Sequence, residues 1–137
     1  HGHSYTGNPL GCAAALASLD LLQSEDCQVN IKRIEAKHQN FNNQIQRHAA
    51  VREVRQTSTI LAVEFDTPEQ TSYFNKLRDQ LYHFFLEKRV LLRPLGNVIY
   101  ILPPYCITDA QLEQVYEAID AALNTFILKK ETEKSDA

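Results

Sequence analysis

Three stretches of the chain hold residues whose types and spacing suit chemistry. The first, His1-Gly2-His3-Ser4-Tyr5-Thr6-Gly7-Asn8-Pro9, is a hydroxyl- and glycine-rich loop that runs straight into a helix start. Glycine lets backbone approach a ligand closely, and hydroxyls beside free N–H groups suit an oxyanion such as phosphate. The same residues equally suit a loop that only caps its helix through Asn8. His1 and His3 with a free amine match tetragonal copper or nickel coordination. That arrangement depends on His1 being a chain terminus, so no metal site is assigned.

The second stretch is Val90-Leu91-Leu92-Arg93-Pro94-Leu95-Gly96-Asn97, where one arginine closes an apolar run just before a turn. A guanidinium there can grip a carboxylate through two parallel hydrogen bonds, which lysine cannot do. An edge-strand arginine facing water is the alternative. The third is Ile99-Tyr100-Ile101-Leu102-Pro103-Pro104-Tyr105. Strand alternation sets Tyr100 on the face opposite Ile99 and Ile101, as a pocket residue or as a core tyrosine with a satisfied hydroxyl.

The elements that must position these residues follow from periodicity and punctuation. Asn8 as N-cap and Pro9 at the first helical position start a small-sided helix to about Gln23, carrying Leu16, Leu19 and Leu22. Ser24 or Asp26 starts an amphipathic helix with Ile34, Phe41 and Ile45, reaching about His48. Val51 to Arg55 and Thr59 to Phe65 read as two short strands or one bent one. Asp66-Thr67-Pro68-Glu69 starts a helix with the stripe Tyr73, Leu77, Leu81, Phe84 and Phe85, ending near Lys88. Val90 to Arg93 and Val98 to Leu102 read as a hairpin around the turn Pro94 to Asn97. Thr108-Asp109 caps a final helix with Leu112, Val115, Ile119 and Leu123 inward, and the charged segment from Lys129 reads as a mobile end. This order predicts an α+β fold: a small, mainly antiparallel sheet covered by helices.

Composition narrows the function classes. At 137 residues, 44% apolar and 23% charged, the chain suits one ordinary globular domain. A net charge of -3, with no basic stripe, argues against nucleic acid as a partner. No apolar run approaches the roughly 20 residues a membrane span needs, and no signal-peptide pattern is present, so the expected setting is the cytoplasm. Cys12, Cys27 and Cys106 are widely spaced and read as reduced thiols. There is no methionine, so the chain is expected not to begin at an initiator.

Together and in this order, the pattern H-G-x-S-Y-x-G-N-P-L-x-C-A-A-A at the start and R-P-x-G-x-x-I-Y-x-x-P-P-Y from Arg93 resemble the C-terminal part of class III (ornithine-type) pyridoxal-phosphate aminotransferases. The likeness spans essentially residues 1–128, and the second pattern is similar to the biotin-synthesis branch of that family. The resemblance implies the C-terminal small domain of a fold-type I pyridoxal-phosphate transferase. Residues 1–25 would be a cofactor-phosphate loop and a helix linking the large and small domains, 26–129 the small domain and 130–137 a flexible tail.

It also implies roles. Gly2 matches a position that contacts substrate. His3 and Ser4 match the pair that contacts the phosphate of pyridoxal 5'-phosphate in the other subunit of a homodimer. The family usually has proline and threonine there, so His3 departs from the pattern while Ser4 keeps the hydroxyl. Arg93 matches the arginine that binds the carboxylate of a keto-acid substrate, and Tyr100 a tyrosine lining the same pocket.

No catalytic residue is expected in this stretch. The lysine that bonds covalently to the cofactor lies upstream of the H-G loop in the family. Lys32, Lys37, Lys76, Lys88, Lys129, Lys130 and Lys134 fall on polar helix faces, at a helix end or in the tail, without the desolvation that lowers a lysine pKa. The chain by itself is therefore expected to be inactive and to bind cofactor weakly if at all. The competing reading is a free-standing α+β module for a small carboxylate. Such a module would bury Leu16, Leu19 and Leu22 on its own core, whereas part of a larger enzyme would leave them uncovered.

Overall fold

Asn8 begins the first helix, α1 (Pro9–Gln23), by accepting the Leu10 N–H on its side-chain oxygen at 3.0 Å. The structure is a computed structural model that describes residue 2 and residues 6–67 and 77–135, with side chains followed to residue 125. Ser24 closes α1 and starts α2 (Glu25–Ile45), its hydroxyl accepting the Cys27 N–H at 3.3 Å. Helix α2 buries Ile34, His38, Phe41 and Ile45, spaced four, three and four apart on one face. Helix α1 buries nothing: Leu16 is 63% exposed, Leu19 47% and Leu22 39%.

Strands β1 (Val51–Thr57) and β2 (Ile60–Phe65) form an antiparallel hairpin turned by Ser58, at φ +48°, and the buried Thr59. The polar break expected at Gln56 to Ser58 is narrower than the sequence suggests, because β1 runs on to Thr57. Strand β3 (Val98–Ile101) pairs antiparallel with the other edge of β2, giving the order β1-β2-β3. Leu61, Val63 and Phe65 of β2 join Ile99 and Ile101 of β3 in the core with the buried faces of α2 and the last helix. By alternation Tyr100, opposite Ala62, belongs to the other face.

One expected strand does not form. Val90 to Pro94 keeps a strand's alternation, with Val90, Leu92 and Pro94 buried and Leu91 and Arg93 exposed, yet it makes no ladder. The hairpin is reduced to a single bridge, Leu95 to Val98, closed around Gly96 at φ +64°. Pro94 falls opposite Ile99 at a non-hydrogen-bonded position, and the next bonded pair an antiparallel ladder would need, Arg93 with Tyr100, does not form.

Helix α3 (Leu77–Glu87) buries Leu81 and Phe85. The helix start expected at Pro68 and Glu69, and Tyr73 of its stripe, lie outside the described residues. Its end is a Schellman arrangement: the Val90 N–H reaches the Phe85 carbonyl at 2.9 Å and the Arg89 N–H the Leu86 carbonyl at 2.9 Å. Arg89 holds the left-handed position at φ +59°, where glycine is the usual occupant. Arg89→Gly should therefore stabilise the chain by about 0.5–1 kcal/mol. A higher urea midpoint at unchanged slope is the expected readout, and an unchanged or lower midpoint would contradict the strain argument.

The last helix, α4 (Asp109–Ser135), opens on a capping box: Thr108 Oγ1 accepts the Gln111 N–H at 3.2 Å, and Gln111 Oε1 accepts the Thr108 N–H at 3.0 Å. Leu112, Ile119 and Leu123 are fully buried and Val115 partly so. The helix continues to Ser135, through the segment where the sequence suggested a mobile end. Arg33 ties α2 to this start, donating to the Ile107 carbonyl at 2.6 Å and pairing with Asp109. His38 makes a deeper tie. Its Nε2 lies 3.0 Å from the Thr59 carbonyl and must donate, so Nδ1 accepts from the Tyr116 hydroxyl at 2.6 Å. One neutral imidazole thus links α2, α4 and the hairpin tip.

Candidate functional site

The turn that follows Arg93 folds the chain back so that Arg93 and Tyr100 line one cleft of about 490 Å³. Pro94 and Leu95 supply apolar wall from the same turn, and α3 supplies Arg78, Asp79 and Tyr82 from the side. The family resemblance implied that Arg93 and Tyr100 share a pocket, and in the structure both line this cleft. The structure does not place Arg93 at a strand end, since the residue sits in the unladdered extended segment with its side chain outward.

Charge distinguishes Arg93 from the other arginines nearby. Glu64, buried on the sheet, accepts from Arg52 at 3.4 Å and from Arg55 at 3.1 Å, and Arg55 also meets Glu53 at 2.5 Å. Arg78 faces Asp79 at 3.6 Å. Among the described residues, Arg93 has no hydrogen-bond or ion-pair partner. A guanidinium beside a half-buried phenol and two apolar residues is arranged to take a carboxylate that carries a hydrocarbon chain.

The described residues of the N-terminal loop are not part of this cleft. Gly2 is exposed, lies outside the cleft lining, and has open space where a side chain would project. His3 and Ser4 lie outside the described residues. The donors of the helix end are partly spent, because Pro9 has no N–H and that of Leu10 is held by Asn8. No described residue packs over Gly7 either, which is at φ +71°. Gly2 and Gly7 therefore offer a phosphate glycine backbone that no described residue covers.

Lysine placement agrees with the sequence reading for the residues in view. Lys32 is exposed, Lys37 pairs with Asp109 at 3.4 Å, and the exposed Lys88 lies 5.7 Å from the centre of the Phe84 ring. Lys76, Lys129, Lys130 and Lys134 fall where no side chain is described. Among the described residues there is no cluster of three metal-ligating side chains, and no helix long and apolar enough to cross a membrane.

Residues 1–123 match the family model described as Aminotransferase class-III. The chain belongs to the class-III aminotransferase family. Among the relatives this class-III chain resembles is the adenosylmethionine-8-amino-7-oxononanoate aminotransferase of Synechococcus elongatus, 40% identical over 87% of this chain and 27% of that protein. The enzyme of the same name from Geobacter sulfurreducens is 37% identical over 91% of this chain and 28% of its own length. The class-III chain thus spans little more than a quarter of these relatives. An omega-aminotransferase structure from Paracoccus denitrificans superposes with a TM-score of 0.80 at 26% identity, over 94% of this chain and 30% of that one. The small antiparallel sheet with its four helices is therefore an α+β portion of an aminotransferase fold.

Arg78, Asp79 and Tyr82 are the cleft residues that sequence reasoning missed. Arg78 and Tyr82 are four apart and share a helix face beside the buried Leu81 and Phe85. The available signal was a tyrosine just off the apolar stripe, flanked one turn earlier by an adjacent charge pair.

Proposed function

We propose that this chain is the C-terminal part of an aminotransferase that moves an amino group from S-adenosylmethionine to 8-amino-7-oxononanoate, giving 7,8-diaminononanoate in biotin biosynthesis. The observation that carries the reading is the unengaged Arg93 guanidinium beside Tyr100 in one cleft. It suits the single carboxylate that the relatives' substrate name specifies. Arg93 holds the carboxylate end of the keto acid by a bidentate pair, and Tyr100, Pro94 and Leu95 flank its chain. Fixing that end leaves the distant ketone at a set reach from the anchor.

Pyridoxal 5'-phosphate, when bound, supplies the electron sink that lets an amino group pass between carbon skeletons. His3 and Ser4 would hold its phosphate and Gly2 would touch substrate, reaching from one subunit of a homodimer into the other. The open surroundings of Gly2 and Gly7 support a loop that serves a neighbour. The cytoplasm is the setting this reading implies. A free-standing carboxylate module is disfavoured by the exposure of Leu16, Leu19 and Leu22. An ornithine or 4-aminobutyrate type is disfavoured by the names of the relatives at 37–40% identity.

The whole protein, given 8-amino-7-oxononanoate and S-adenosylmethionine, should form 7,8-diaminononanoate detectable by mass spectrometry. The present chain mixed with pyridoxal phosphate and borohydride should show no cofactor trapped on one specific lysine. Turnover of ornithine or 4-aminobutyrate in place of the named pair would overturn the assignment.

A further inference from the structure

We propose that Tyr82 of α3 sets the chain-length preference of the site, its ring forming a wall for the hydrocarbon chain of the carboxylate that Arg93 holds. The inference rests on the reading of Arg93 as the carboxylate anchor and adds a specificity-determining residue from a different element. Tyr82 lines the cleft together with Arg93, Pro94, Leu95 and Tyr100. The adjacent Leu81, and Phe85 one turn further on, are fully buried and fix α3 to the core. Tyr82 projects off that stripe and is 37% exposed, so its ring stands at the cleft without being part of the core.

The side chain suits a hydrocarbon rather than a charge. Among the described residues neither the Tyr82 nor the Tyr100 hydroxyl has a hydrogen-bond partner, so each offers the cleft an apolar ring with its polar tip left to water. The ion pair made by Arg93 acts at one end of a ligand and is the same for an acid of any length. Contact with a ring grows with every methylene laid against it, and a fully buried methylene is worth about fourfold in affinity. At about 490 Å³ the cleft falls in the size range of small-molecule sites and leaves room beyond the anchor for such a chain. Arg93 therefore selects a carboxylate, and Tyr82 selects one with a long apolar chain behind it. Removing about 50 Å² of ring contact costs a long-chain acid roughly five- to tenfold in affinity.

The test is titration calorimetry on the whole protein at pH 8 with butanoate, hexanoate and nonanoate, the last having the carbon skeleton in the relatives' substrate name. In the unaltered protein affinity should rise with chain length. Tyr82→Ala should weaken nonanoate about five- to tenfold and butanoate by less than about twofold, so that the loss grows along the series. Tyr82→Phe should keep the unaltered profile, because the ring remains. General damage to the fold would instead weaken all three acids alike. The inference is wrong if Tyr82→Ala changes no affinity or lowers all three equally, or if Tyr82→Phe loses as much as Tyr82→Ala. Arg93→Ala serves as the separate control and should weaken the three acids by one common factor. If it does so while the Tyr82 variants match the unaltered protein, the anchor stands and only the wall falls. If Arg93→Ala changes nothing at any length, the anchor falls and the chain-length inference falls with it.

Discussion

Replacing Arg93 with alanine in the whole protein raises KM for the keto acid about 100-fold and leaves kcat within a few-fold. The size follows from losing two charge-assisted hydrogen bonds, together worth about 3 kcal/mol, at roughly 1.4 kcal/mol per tenfold. The split follows from position: a carboxylate remote from the reacting carbon is held equally before and during the reaction, so its loss appears in KM. Arg93→Lys should recover only part of the loss, because an ammonium cannot make the parallel pair. Steady-state kinetics with the keto acid varied would show this. An unchanged KM would remove Arg93 from the site, whereas an equal fall in kcat would mean that it touches the transition state.

The largest stability effect is expected at His38, far from the cleft. His38→Ala should cost the chain about 3 kcal/mol, because the Tyr116 hydroxyl and the Thr59 carbonyl both lose a buried partner and a cavity opens between α2, α4 and the hairpin. Tyr116→Phe should cost less, about 1–2 kcal/mol, since only the Nδ1 acceptor is stranded. The same site gives a pH signature. Burial lowers the His38 pKa from its ordinary 6.5, opposed in part by the bond to the Thr59 carbonyl. The unfolded chain then takes up a proton that the folded chain refuses. This contribution is whole above about pH 6.5, declines as pH falls through the window below that value, and levels off beneath the folded pKa. Urea midpoints at pH 7.5 and pH 5.5 should differ more for the unaltered chain than for His38→Ala. An equal pH dependence in both would show that the imidazole is not held neutral.

Much of the framework was legible because caps and stripes are local. Asn8-Pro9, Ser24 and Thr108 stand where the helices begin, and Leu81, Phe85, Leu112, Ile119 and Leu123 are buried as their spacing implies. Misreadings arose where local chemistry was overruled or incomplete. Val90 to Pro94 alternates like a strand, but alternation reports which side chains are buried and not whether the backbone pairs, and the segment makes no ladder. On α2 the buried face runs through His38, which a search for apolar residues passes over. Within the cleft, Arg93 and Tyr100 were paired by the family resemblance alone, since local chemistry left Arg93 equally readable as an edge arginine facing water and Tyr100 as a core tyrosine. Arg78 and Tyr82 were not legible as cleft residues, since only the tertiary fold carries α3 to their side.

The exposed leucines of α1 bear on how order is shared along the chain. A fifteen-residue segment with no buried side chain has little beyond intrinsic propensity and contact with α2 to keep it wound, and peptides of that length are marginal helices in water. Its winding is then only weakly coupled to melting of the sheet and α4, so the chain on its own would lose structure in two stages, the N-terminal rod loosening before the body it adjoins.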